Sequence, residues 1–118
     1  MERVFIVEDS ALVRGRIIAM LMSLKGVDII GISDTIKEAA SSIRLNNPDT
    51  VILDIRLNDG NGIDLLQQIK DATPCTKVIM LTNYNIPLYE KRCKELGADY
   101  FFDKSKDFEK LLDVITGE

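Results

Sequence analysis

The chain has 118 residues, 46% of them apolar and 29% charged, a mixture that suits one globular domain with a core of its own. Its net charge of −4 argues against a nucleic-acid-binding face, and no apolar run approaches the roughly 20 residues that span a bilayer. There is no histidine, which excludes imidazole acid–base chemistry and His-ligated metals, so any metal here must be held by oxygen and is expected to be a hard cation.

The first apolar run, Val4–Val7, reads as a strand and ends in two adjacent acids, Glu8 and Asp9. No secretory signal precedes it, so a cytoplasmic location without membrane contact is expected. Ser10 can cap a first helix, whose Val13, Ile17, Met20, Leu21 and Leu24 recur at spacings of three and four until Lys25-Gly26. Val27–Ile32 is a second strand, followed by Ser33-Asp34. A second helix begins near Thr35, with Glu38 placed for a capping box. Its inner face is Ile36, Ala39, Ala40 and Ile43, and Asn46-Asn47-Pro48 stops it.

Thr50–Ile55 is a third strand that carries Asp54 at its end, ahead of the glycine-rich "LNDGNG". Gly60 or Gly62 is expected to supply a positive φ there. A third helix runs from about Gly62 to Lys70 and buries Ile63, Leu66 and Ile69. The fourth strand, Lys77–Thr82, ends in Leu81-Thr82-Asn83. A fourth helix starts near Pro87 and ends at Gly97, with a weak stripe of Leu88, Tyr89, Cys93 and Leu96. Tyr100–Phe102 is the fifth strand, followed by Asp103-Lys104. A fifth helix from about Asp107 buries Phe108, Leu111, Leu112 and Ile115. Cys75 and Cys93 show no metal-like spacing and read as reduced thiols.

Strand–helix alternation repeated five times implies right-handed crossovers and a parallel sheet between helix layers. The expected fold is α/β: a flavodoxin-like, three-layer (βα)5 sandwich of strand order 2-1-3-4-5. Residues 1–118 show no interior linker or repeat and read as one domain. In such sheets ligands sit beyond the carboxyl ends of the strands. That edge gathers Glu8 and Asp9, then Asp54, Thr82 and Lys104. Three carboxylates in one crevice repel unless a cation sits among them, and Mg²⁺ is the economical choice. Strand-end acids also cap helices, and for Glu8 and Asp9 that alternative stays open. Thr82 alone reads as β-propensity and Lys104 alone as a solvated charge. Together the five compose a phosphoryl-transfer site: a carboxylate nucleophile, a metal, a hydroxyl and an ammonium.

At these residues the chain resembles the receiver domain of two-component response regulators, of the chemotaxis-regulator fold. The resemblance rests on "VEDS", "VILDIRL", "MLTN" and "GADYFFDKS", in that order, and covers the whole chain. It implies that Asp54 is the phosphoacceptor, charged from a histidine on a partner sensor histidine kinase or phosphotransfer protein. It implies that Asp9 ligates Mg²⁺ directly, Glu8 through a water, and the backbone carbonyl of Arg56 as well. Thr82 would bond a phosphoryl oxygen, Lys104 would pair with the phosphate, and Phe101 would rotate inward. The face made by helix four, strand five and helix five would then change its affinity for a downstream effector, or for a second copy in a homodimer. The domain is thus expected to be a switch that modifies itself, not an enzyme with an independent substrate.

Two other readings are a phosphatase working through a phospho-aspartate and a phosphate-independent scaffold. Such phosphatases often place a second Asp two residues after the nucleophile, and Arg56 stands there instead. Intact Glu8, Asp9, Asp54, Thr82 and Lys104 weigh against the scaffold. The chain departs from the family pattern at three places. Phe101 replaces the usual Tyr and has no hydroxyl, while Tyr100 should point to the opposite face. Ser105 replaces the proline after Lys104. A cis bond there would cost about 3–4 kcal/mol, so a trans bond is expected. Asn58-Asp59-Gly60 replaces the familiar Met-Pro. Arg56 and Tyr84 should flank the phosphoryl group, and their bulk suggests slow self-dephosphorylation unless both swing into solvent.

Overall fold

Alternation within the strands decides which side of the sheet each helix covers. In the computed structural model, which describes residues 1–116, the elements are β1 (Glu2–Val7), α1 (Ala11–Met22), β2 (Val27–Ser33), α2 (Ile36–Asn46), β3 (Thr50–Leu53), β4 (Arg56–Leu57), β5 (Gly60–Asn61), α3 (Gly62–Ala72), β6 (Lys77–Thr82), α4 (Pro87–Glu95), β7 (Tyr100–Asp103) and α5 (Lys110–Thr116). Five strands pair in parallel in the order β2-β1-β3-β6-β7, the expected topology with β6 and β7 as fourth and fifth strands. The two-residue strands β4 and β5 form a small antiparallel hairpin that strand patterning does not reveal.

Successive strand residues point to opposite faces, so each central strand feeds two cores. Phe5, Val7, Val51, Leu53, Val78 and Met80 pack with Ala39 and Ile43 of α2, Leu65, Leu66 and Ile69 of α3, and Cys93 of α4. Val4, Ile6, Ile52, Ile79 and Leu81 pack on the other side with Ile17 and Leu21 of α1 and with Phe108, Leu111 and Ile115. Burial on both faces explains why these strands read as unbroken apolar runs. Among the described residues no helix is long and apolar enough to cross a membrane.

Helix ends follow local chemistry. The Ser10 hydroxyl accepts from Val13 N at 3.3 Å and Thr35 Oγ1 from Glu38 N at 3.2 Å, as their cap roles require. A further cap comes from outside the helix. Asp59, in the β4–β5 turn, accepts from Ile36 N at 2.7 Å and from Lys37 N at 3.1 Å, and the first of these bonds holds its carboxyl below the usual range. This cap was missed because it lies 23 residues away in sequence.

Several expected boundaries and faces need correction. β3 stops at Leu53, one step short of Asp54, and α3 continues to Ala72. The fifth helix begins at Lys110, because 107–109 form turns in which Asp107 accepts from Asp103 N. Phe108 is still buried, but from that turn, and Leu112 is only half-buried. Leu88 is 71% exposed and leaves the inner stripe of α4, where Cys93 is the buried residue. Burial pushes the Cys93 thiol up to about 11, which keeps it an inert packing group. Among the described residues no peptide bond is cis, in line with the expectation for Lys104-Ser105.

Gly60 provides the positive φ of the hairpin, at +152°. Gly62 is required for a different reason: a Cβ there would lie 1.9 Å from the Asp54 carbonyl oxygen. Backbone cannot yield as a side-chain tip can. Gly62→Ala is therefore expected to lose about 1–3 kcal/mol, the range of overpacking, in urea titration. Gly15, exposed in mid-α1 with nothing near its would-be Cβ, gives the contrast. Gly15→Ala should gain about 0.5–1 kcal/mol from helix propensity.

Candidate functional site

The carboxyl edge of the sheet brings the ends of β1, β3, β6 and β7 together because these four strands are consecutive neighbours in register. Val7 pairs with Leu53, Leu53 with Met80, and Thr82 with Asp103. The next residues along, Glu8, Asp54 and Lys104, therefore leave the sheet at one edge, with the end of β6 between the last two. Backbone bonds extend the ladder past the strand ends: Asp54 N donates to Val7 O at 3.1 Å and Lys104 N to Thr82 O at 3.0 Å.

Three of the predicted residues form a buried ion cluster. Lys104 Nζ lies 2.6 Å from Glu8 Oε1 and 2.8 Å from Asp54 Oδ2. Glu8 is 1% exposed, Asp54 5% and Lys104 9%. Burial raises the Glu8 pKa, against the opposing pull of the Lys104 hydrogen bond. Burial alone would depress the Lys104 pKa, but its bonds to Asp54 and Glu8 outweigh it and the net direction is up. The remaining oxygens are also engaged. Glu8 Oε2 accepts from Ser10 N at 3.0 Å, and Asp54 Oδ1 accepts from Ile55 N at 2.7 Å.

Asp9 joins this pair. Glu8, Asp9 and Asp54 each offer a carboxylate oxygen, all within 4.8 Å of one another. The helix-cap alternative for Asp9 does not hold, since Ser10 is the N-cap of α1. Half-buried Asp9 is thus available to the cluster. An all-oxygen, anionic donor set this tight fits a hard divalent cation such as Mg²⁺.

The other predicted residues surround the cluster. Thr82 is fully buried and its Oγ1 accepts from Tyr84 N at 3.0 Å. Arg56 opens β4, and its guanidinium sits over the Tyr84 ring at 4.4 Å from the centroid. The two side chains expected to flank the site thus meet each other, one from the end of β3 and one from the end of β6. Phe101 is half-buried and packs on the core that Tyr84 and Tyr89 also cover. Tyr100 takes the opposite face and stacks on Phe102, with centroids 5.5 Å apart.

Sequence reasoning missed one residue near the acids. Arg14 of α1 donates from its guanidinium to the Glu8 carbonyl at 3.0 Å. Its signal was faint: a positive charge on the first turns of a helix, where acids are the favoured residues.

Comparison with known proteins places this geometry. A model of the response regulator receiver domain matches residues 4–116. The DNA-binding transcriptional activator DevR/DosR of Mycobacterium tuberculosis is 33% identical over 84 residues, which cover 71% of this chain and 39% of that protein. A protein-glutamate methylesterase/protein-glutamine glutaminase of Desulfotalea psychrophila is 34% identical over 107 residues, 89% of this chain and 29% of that one. The chain therefore spans less than half the length of either curated relative. A DNA-binding response regulator of the LuxR family from Staphylococcus aureus superposes with a TM-score of 0.90 at 25% identity, covering 98% of this chain and 97% of that chain. With the match running through the whole parallel sheet and every helix around it, the chain belongs to the response regulator receiver domain family of two-component signalling.

Proposed function

We propose that this domain is a phosphorylation-driven switch of the cytoplasm, in which Asp54 accepts a phosphoryl group from a histidine on a sensor kinase or phosphotransfer protein. The observation that carries this reading is the convergence of Glu8 and Asp9 on a buried Asp54 whose Oδ2 already bears the Lys104 ammonium. An Asp54 oxygen attacks phosphorus, the phosphorus–nitrogen bond to the donor histidine breaks, and the imidazole leaves. Bound Mg²⁺ would neutralise charge on the phosphoryl oxygens. Asp9 would hold it directly, Glu8 through water, with Asp54 and the Arg56 carbonyl completing the protein ligands.

Lys104 acts in both states. Before phosphorylation its ammonium separates two buried carboxylates that would otherwise repel. Afterwards it pairs with the phosphoryl group, while the Thr82 hydroxyl bonds a phosphoryl oxygen and Phe101 turns inward. The added charge of nearly −2 biases the packing of α4, β7 and α5, and this face is the output surface for an effector or a second copy. The stacked Arg56–Tyr84 pair covers the approach of water to phosphorus and makes the phosphorylated form long-lived.

Incubation with acetyl phosphate and Mg²⁺ should add one phosphoryl group to the wild type by intact mass, and none to Asp54→Asn or to wild type in EDTA. Equal labelling of Asp54→Asn would overturn the assignment. The shield has its own test. Arg56→Ala with Tyr84→Ala should shorten the half-life of the phosphorylated form about tenfold, a barrier change of about 1.4 kcal/mol; an unchanged half-life removes the shielding role.

Lys104→Met should lower the metal-free stability by about 3 kcal/mol, because two buried carboxylates lose their shared cation. Mg²⁺ should restore part of this. The raised Lys104 pKa means that its contribution is complete below the ordinary lysine value and lost only as pH rises through the raised one. On the acid side the deficit should shrink, because Glu8, with its pKa already raised, takes up a proton more readily. Urea titrations of both proteins at about pH 5 and about pH 8 would read this difference.

A further inference from the structure

The turn from β1 into α1 holds two of the three acids, and bonds among Glu8, Ser10 and Arg14 fix that turn. Glu8 is the first residue beyond β1, so its carbonyl has left the ladder that serves the rest of the strand. Its N–H is still tied, to Ser33 O at 3.0 Å. Its carbonyl oxygen is taken by the Arg14 guanidinium at 3.0 Å. Arg14 is itself held by its place in α1, where its N–H donates to Ser10 O at 2.9 Å. Ser10 in turn donates its N–H to Glu8 Oε2 and caps the helix through its hydroxyl. The result is a closed ring of bonds, Glu8 to Ser10 to Arg14 and back to Glu8. Asp9 is the residue enclosed by this ring and makes no part of it. The peptide units on either side, one of which Arg14 grips, therefore set the direction in which its Cα–Cβ bond leaves the backbone.

We infer that Arg14 is a positioning residue for the divalent cation site: by gripping the Glu8 carbonyl it holds the Glu8–Asp9 peptide so that the Asp9 carboxylate faces Asp54. The inference rests on the cation-binding reading of the acids. It makes a claim that simple electrostatics contradicts. A guanidinium near an acidic cluster opposes an incoming cation, so if Arg14 acted through its charge alone, removing it would tighten Mg²⁺ binding. If it acts by holding the turn, removing it weakens Mg²⁺ binding despite the lost repulsion. The two accounts differ in sign.

The test is isothermal titration of Mg²⁺ into the full chain without phosphodonor, for wild type, Asp9→Asn, Arg14→Met and Arg14→Lys. Arg14→Met should bind about tenfold more weakly, the lower end of what loss of an outer supporting group costs a metal site. Arg14→Lys keeps the charge and one donor but loses the planar fork, and should fall between Arg14→Met and wild type. Melting in EDTA separates this from general damage: the affinity loss must appear in a variant that melts cooperatively, near wild type. Unchanged or tighter Mg²⁺ binding in Arg14→Met overturns the inference. Should Arg14→Met fail to fold, Arg14→Lys is judged alone, weaker binding supporting the inference and equal or tighter binding overturning it. If wild type binds no Mg²⁺, or Asp9→Asn binds as well as wild type, the cation-binding reading itself fails, and the inference falls with it.

Discussion

One ammonium between two buried carboxylates holds the working edge of this domain together. Glu8, Asp54 and Lys104 arise from β1, β3 and β7, far apart in sequence, and each is nearly removed from water. Any one of them alone at that depth would face a desolvation cost that Coulomb attraction must offset. They meet because the parallel sheet brings the ends of β1, β3 and β7 to one edge, with β6 between the last two. The cluster serves the fold as an internal neutralising contact, and on the proposed reading it also prepares Asp54 for phosphoryl transfer. A buried pair of this kind contributes little net stability compared with apolar packing. Its value lies in shielding Asp54 from water and fixing its orientation.

Much of this could be read from the chain. The strands, their order and the five site residues were legible because each central strand is buried on both faces, which leaves unbroken Val/Ile/Leu runs whose ends are easy to see. Residues at those ends share one edge by topology, so Asp54, Thr82 and Lys104 could be grouped without coordinates. What stayed hidden was tertiary. Asp59 caps α2 from a hairpin 23 residues away, and no local pattern encodes that. The β4–β5 hairpin is too short for alternation to register. The start of α5 was set too early because Asp107 looks like part of a helix, whereas its carboxylate closes the preceding turn on Asp103 N. Arg14 was passed over because its partner is a backbone carbonyl, which sequence does not display.

The loops around the site are constrained from more than one side. The turn after β1 is tied by Ser10 and Arg14. The segment after β3 is tied by Asp59 to α2 and by the close passage of Gly62 under the Asp54 carbonyl. The chain is thus tied down after two of the four strand ends at this edge, β1 and β3. The loop after β6 is held differently. Its bonds are Tyr84 N to the Thr82 hydroxyl and Ile86 N to Tyr84 O, both local. A switch needs one element that can move against others, and on the proposed reading the β6–α4 loop is that element.

Thr82 is suited to drive that movement. A hydroxyl has one proton to donate and two lone pairs that accept. In the resting state Thr82 accepts from Tyr84 N, so its proton remains free to turn toward a phosphoryl oxygen without releasing Tyr84. A shift of Thr82 toward Asp54 would therefore draw the loop along with it. Tyr84 also carries the Arg56 guanidinium on one face and packs on the same core as Phe101 and Tyr89. On the proposed reading an apolar Phe at 101 can turn inward at no cost in unpaired hydroxyls, so it would keep the mechanical part of the switch without a polar tip. On the proposed reading, the signal passed to α4 and β7 would be one of shape, set by the hydrogen bond between Thr82 and Tyr84.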